Sequence, residues 1–285
     1  MPETHDTAGR RAGLGRRELL LGGGAAISLG ALLAACGGDE AAEPGRVGYA
    51  PPATALPSEG VDDAVLLRTA QSIEYTILEV YGMIAERGVL EGDAATLLEA
   101  LVEEHEDAAD EVGRIVRQAG GEPYECANTW YLERVIPPIF RNIDGDEAEG
   151  IAPTDDPVRD LLAVMNAMES LAASMYQNLV EELTEPRLRA AVVALATRSA
   201  RHSAAVAITS SGAPEGYVSP TVHGEEATPD EDGLVPLYAI PSQFGLLSPY
   251  SLVIGALSEA GTRYTQSIDT PADNSYAYHT QSCSA

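Results

Sequence analysis

The segment from Asp155 to Thr209 constrains the fold most, because two helix-length apolar stripes meet there and neither is purely apolar. In the first, apolar residues recur three and four apart at Val158, Leu162, Met165, Ala172, Tyr176, Leu179 and Leu183, the spacing of one helix face. Glu169 lies on that stripe. The second begins after the break Thr184-Glu185-Pro186 and runs through Leu188, Val192, Leu195 and Val206, with Ser199 and His202 in its two gaps. A carboxylate and an imidazole turned into a bundle interior are costly unless they are paired or hold a cation. Bundle cores build metal sites from such groups, combining inward Glu side chains with Glu-x-x-His pairs.

Two further helices of the same kind lie upstream. Val61 to Arg87 carries the stripe Leu66, Leu67, Ala70, Ile73, Ile77, Tyr81 and Ile84, with Glu74 inside it and Glu79 outside. Asp62 and Asp63 sit in its opening turn, where negative charge is favoured, and Gly88 is a natural stop. Asp93 to Gln118 carries Leu98, Leu101, His105, Ala108, Val112 and Ile115, which places His105 at the centre of the buried face. The short connection between these two helices makes them antiparallel. A long crossover from Glu122 to Asp155, with Trp130, Tyr131 and Pro137-Pro138, reads as packed and locally helical. The expected fold is therefore all-α: two antiparallel helical hairpins joined by one long connection, the ferritin-like arrangement, over residues 61–209. Residues 210–285 form a C-terminal extension, in which Ser248-Pro249 is read as opening a fifth helix through Arg263.

Charge and the N-terminus narrow the setting. Forty-four acidic residues oppose 17 basic ones, all Arg, for a formal charge of -27. A surface this acidic repels phosphate backbones and excludes nucleic acid as a partner, while it attracts cations and maintains solubility. Arg16-Arg17-Glu18 leads into an uncharged Gly/Ala-rich run that begins at Leu19, the pattern of a twin-arginine export signal over residues 1–35. Leu33-Ala34-Ala35-Cys36 resembles a lipobox, which makes Cys36 the lipidated residue and the outer face of the membrane the expected location. Residues 36–60, rich in Gly, Pro and Ala, would be the tether from lipid to fold. Cys126 and Cys283 then remain, an even pair that in an exported chain reads as a disulfide; two free thiols are the alternative.

Several phrases carry a family resemblance: Ile73-Glu74-Tyr75, Met168-Glu169-Ser170-Leu171-Ala172 with Tyr176-Gln177, Ala200-Arg201-His202, and Asn274-Ser275-Tyr276 with Cys283. In this order, over about residues 61–283, the chain resembles the exported ferritin-like domain proteins of high-GC bacteria. The resemblance implies a metal site of one Glu on the first helix, Glu-x-x-His on the second, one Glu on the third and Glu-x-x-His on the fourth. Glu74, Glu169 and His202 match it. Ser199 stands where the fourth-helix carboxylate is expected, and the second helix has His105 and Ala108 at the Glu and His positions. The carboxylate set for two bridged metals is thus incomplete.

Four inward groups remain, Glu74, His105, Glu169 and His202, enough for a single Fe, Mn or Zn ion. The competing reading is a metal-free network in which protonated imidazoles neutralise both carboxylates and Ser199 adds a donor. Gln71, one turn before Glu74, is read either as exposed or as a supporting partner of Glu74. With metal, the chain would be an oxidase, a peroxide-handling protein or a metal-capture protein. Without it, it would be an envelope scaffold with a protein partner. His223 and His279 are read as surface residues, and Met165, Met168 and Met175 as core filling.

Overall fold

The computed structural model describes residues 61–212, 232, 234, 250–268 and 283. The expected export signal, Cys36, the tether, the acidic loop with His223, and the tail with Tyr276, Tyr278 and His279 lie outside the described residues.

Four long helices dominate: α1 (Asp63–Arg87), α2 (Gly92–Gln118), α4 (Pro157–Glu182) and α5 (Pro186–Ser211). Their ends follow local chemistry. The Asp62 side chain accepts from the Val65 amide at 2.9 Å, so Asp62 caps α1 where helix had been expected from Val61. Gly88 closes the helix in the left-handed region at φ 60°, a conformation that costs glycine little. Asp156 caps α4 through the Arg159 amide at 3.0 Å, with Pro157 in the first turn.

The connections set the directions. Residues 88–91 and 183–185 are too short for anything but antiparallel neighbours, α1 against α2 and α4 against α5. Asp63, at the start of α1, accepts from the Thr184 amide and hydroxyl just past α4, both at 2.8 Å. Arg87, at the end of α1, pairs with Asp144 shortly before α4 begins, its Nη2 2.6 Å from the carboxylate. Hence α1 and α4 are also antiparallel. With α2 against α5 as well, the four helices close into a ring.

This arrangement forces the crossover to travel the length of the bundle, and it does so along the outer side of α1. Gln71 accepts from the Tyr124 amide at 2.7 Å, and Thr76 accepts from the Asn128 amide at 2.8 Å. A π-helical turn (Tyr131–Val135) then leads into α3 (Ile136–Asp144), which buries Ile136, Ile139, Phe140 and Ile143. Cys126, in the same crossover, stands at disulfide distance from Cys283, with Cα atoms 5.9 Å apart and their sulfurs joined.

The C-terminal extension departs from expectation. Instead of a fifth helix, Tyr250–Ile254 (β1) and Tyr264–Ile268 (β2) form an antiparallel hairpin, pairing Tyr250 with Ile268 and Ile254 with Tyr264. Tyr250-Ser-Leu-Val-Ile buries Leu252 and Ile254, two apart, which is strand periodicity, and β-branched and aromatic residues favour it. Gly255, at φ 85°, sits where a Cβ would lie 3.3 Å from the Asn142 carbonyl oxygen. A helix cannot run through that residue.

The hairpin packs on the outer side of α4. Tyr250 donates to Asn166 at 2.8 Å, and the Gly255 amide donates to buried Asp160 at 2.7 Å. Arg263 grips both oxygens of Asp155 at 2.7 and 2.8 Å, which holds the Asp155 carboxyl below the usual carboxylate range. As a result the middle of α4 is covered on every side, and every residue from Asp160 to Ala173 is buried. By contrast α2 keeps an acidic face in water at Glu103, Glu106, Asp107 and Asp110. Val158, expected on the inward stripe, is instead exposed, because it lies in the first turn before α4 enters the core.

Candidate metal centre

The bundle brings the four inward groups together. Glu74 on α1, His105 on α2 and Glu169 on α4 are buried completely or nearly so. His202 on α5 has a side chain 12% accessible, the least covered of the four.

His105 is the hub. Its Nδ1 lies 2.6 Å from Glu74 Oε2 and its Nε2 lies 2.9 Å from Glu169 Oε1. With a carboxylate oxygen against each ring nitrogen, both nitrogens must carry a proton to satisfy the pair, so the ring is an imidazolium. Burial opposes that charge, but Glu169 and Glu74 outweigh it and push the pKa up to about 10. For Glu169, burial would raise the pKa, while His105 and His202 pull it down to about 2. These two shifts describe one interaction seen from its two ends.

Two tyrosines complete the network, and neither stood out in the sequence as anything but core. Tyr81 donates to Glu169 Oε1 at 2.6 Å, and Tyr176 donates to Glu74 Oε1. Both are fully buried, and burial beside a carboxylate raises each phenol well above its ordinary value, so both remain neutral donors. A signal for them did exist: each Glu is followed seven residues later by a Tyr on the same face, Glu74 with Tyr81 and Glu169 with Tyr176. Because α1 and α4 are antiparallel, each tyrosine reaches across to the carboxylate of the other helix.

One corner of the network stays open. Glu169 Oε2 and His202 Nδ1 are buried, face each other at 3.3 Å, and have no hydrogen-bond partner. Buried polar atoms are paired in the great majority of cases, so two that face each other mark a place for a further group. His105, Glu169 and His202 each offer a ligand atom, and those atoms lie within 4.8 Å of one another. Glu74 is not one of that group. It holds the opposite nitrogen of His105, the position of a carboxylate that orients a metal-binding histidine.

The expected supporting residues fall elsewhere. Gln71 is buried rather than exposed, and it does not support Glu74: its Nε2 donates to the Ala109 carbonyl at 3.3 Å and its Oε1 accepts from Tyr124, so it ties the crossover to α1 and α2. A single sequence could not show that the crossover would cover that face of α1. Ser199 is buried on the stripe but bonds to neither carboxylate. Neither the family models nor the curated proteins compared with this chain match it.

Proposed function

We propose that this chain is an exported, lipid-anchored protein of ferritin-like architecture whose bundle core holds one transition-metal ion. The facing, unpartnered Glu169 Oε2 and His202 Nδ1 carry this reading, since a cation satisfies both at once. His105 through Nε2, once that nitrogen gives up to solvent the proton it holds against Glu169, together with Glu169 and His202 through Nδ1, would be the ligands, with Glu74 keeping its hydrogen bond to His105 Nδ1. Two imidazoles and one carboxylate suit Fe, Mn or Zn. When bound, Fe or Mn supplies redox chemistry and Zn supplies Lewis acidity. The chain's own part is a buried set of ligand groups, a fixed carboxylate and two neutral phenols that donate without gaining charge. The topology supports the ferritin-like reading through the antiparallel pairs and the full-length crossover. The Arg16-Arg17 and Leu33–Cys36 patterns support export and anchoring at Cys36.

Protein purified without chelators is expected to contain one equivalent of metal by elemental analysis. His202→Ala should abolish it while leaving the His105 hydrogen bonds to both carboxylates in place. Metal-free wild type that takes up none from millimolar Fe(II), Mn(II) or Zn(II) refutes the site.

A second reading has its own observation: His105 neutralises both carboxylates without any metal. On that reading the core is a closed ionic network and the bundle is an anchored scaffold. It requires His202→Ala and wild type to be alike in metal content.

A further inference from the structure

The candidate ligands differ in their access to solvent, and that difference points to one route. The side chains of Glu74 and Glu169 are inaccessible, that of His105 is 2% accessible, and Tyr81 and Tyr176 are fully buried. Only His202 reaches the surface. Its ring has two ends with different surroundings: Nδ1 faces the unpaired, buried Glu169 Oε2 at 3.3 Å, and Nε2 faces Glu104 Oε2 at 4.0 Å. Glu104 on α2 is half exposed and is shared with Arg198 on α5, whose Nε lies 3.7 Å from it. Arg198 is itself held by Glu111 at 3.1 Å. An ion pair therefore lies across the seam between α2 and α5, directly outside the one inward residue that water can reach.

We propose that this seam is the access route of the metal centre, with Glu104 as the outer capture group, Arg198 as a charge gate and the His202 ring as the passage between them. This rests on the metal-binding reading above. Four features carry it: the unpaired oxygen turned toward His202, the imidazole placed between that oxygen and a surface carboxylate, the burial of the other groups of the network, and a cation standing where an incoming cation must pass. Glu104 attracts a divalent cation and Arg198 repels it, so Arg198 must release Glu104 before the cation can pass. Removing Arg198 opens the gate, and neutralising Glu104 removes the capture step. Neither residue belongs to the buried network, so neither change alters how much metal is finally held.

The test follows Co(II) uptake by metal-free, full-length protein in stopped flow, reading its visible absorption. Glu104→Gln is expected to slow uptake about tenfold, within the range of electrostatic effects on association, with unchanged stoichiometry. Arg198→Gln should accelerate it several-fold. Glu106→Gln, an equal change of charge on the solvent face of α2, is the control and should leave the rate near wild type. If Glu104→Gln and Glu106→Gln slow uptake equally, or neither has an effect, the route is refuted while the centre stands. A wild type that takes up no Co(II) refutes the centre itself, and a measurement without metal then decides the seam. Diethyl pyrocarbonate with peptide mapping should modify His202 but spare His105 in native protein, and faster still in Arg198→Gln. Equal reaction of both histidines, or an inert His202, would mean the opening is not there.

Discussion

Glu74 and Glu169 occupy nearly equivalent places and are treated differently. Each is fully buried, each accepts from a tyrosine seven residues beyond the other glutamate, and both share His105. At Glu74 the two donors fall on different oxygens, so both are satisfied. At Glu169 both donors fall on Oε1, which leaves Oε2 turned toward His202 without a bond. Complete pairing marks a carboxylate that serves the fold. A spare oxygen opposite a spare imidazole nitrogen marks one kept for something else, since burying such atoms unpaired costs stability.

Breaking the shared hub should have the largest effect. His105→Ala leaves two buried carboxylates with no counter-charge and should cost about 3–5 kcal/mol, read from urea unfolding midpoints. Alkaline titration probes the same interaction without mutation. The His105 pKa is raised from 6.5 to about 10 on folding, so its contribution is full below about pH 6.5 and is lost as pH rises through about 10. Unfolding midpoints should therefore fall steadily across that window, by several kcal/mol in all, and the decline should vanish in His105→Ala. The Glu169 pKa is lowered from 4.5 to about 2, so its contribution is full above about pH 4.5 and is lost as pH falls through about 2.

The two tyrosines test the asymmetry directly. Tyr176→Phe deprives Glu74 Oε1 of its tyrosine donor and should cost about 1–3 kcal/mol. Tyr81→Phe leaves Glu169 Oε1 still bonded to His105, so its cost should be about 1 kcal/mol. Equal costs in thermal or denaturant melts would remove the distinction between the two carboxylates. The smallest effect on metal-free stability, under about 1 kcal/mol, is expected for His202→Ala, because His202 is partly exposed and meets Glu169 Oε2 only at 3.3 Å, outside hydrogen-bond geometry. The same variant should show the largest loss of bound metal. That contrast between stability and metal content separates a binding group from a structural one.

Much of this arrangement was legible in the residues themselves. Glu74, His105, Glu169 and His202 interrupt apolar stripes at helical spacing, and all four face the interior. Val158 and Gln71 misled for opposite reasons. Val158 is apolar but lies in a helix turn that precedes the core, while Gln71 is polar but lies under a crossover whose path no local pattern encodes. The strand Tyr250–Ile254 was missed because Ser248-Pro249 imitates a helix start. The closer signal was the run of β-branched and aromatic residues that follows it.

By itself, the sequence determined the four long helices, the Gly88 stop and the inward polar residues, because periodicity and helix-end signals act over a few residues of the same chain. Tertiary structure alone decided which oxygen of each carboxylate is satisfied, that Tyr81 and Tyr176 cross to opposite partners, and that His202 alone meets solvent. Those outcomes depend on the relative rotation and stagger of packed helices to a fraction of an ångström. Hydrogen bonding is sensitive at that scale, and hydrophobic patterning is not.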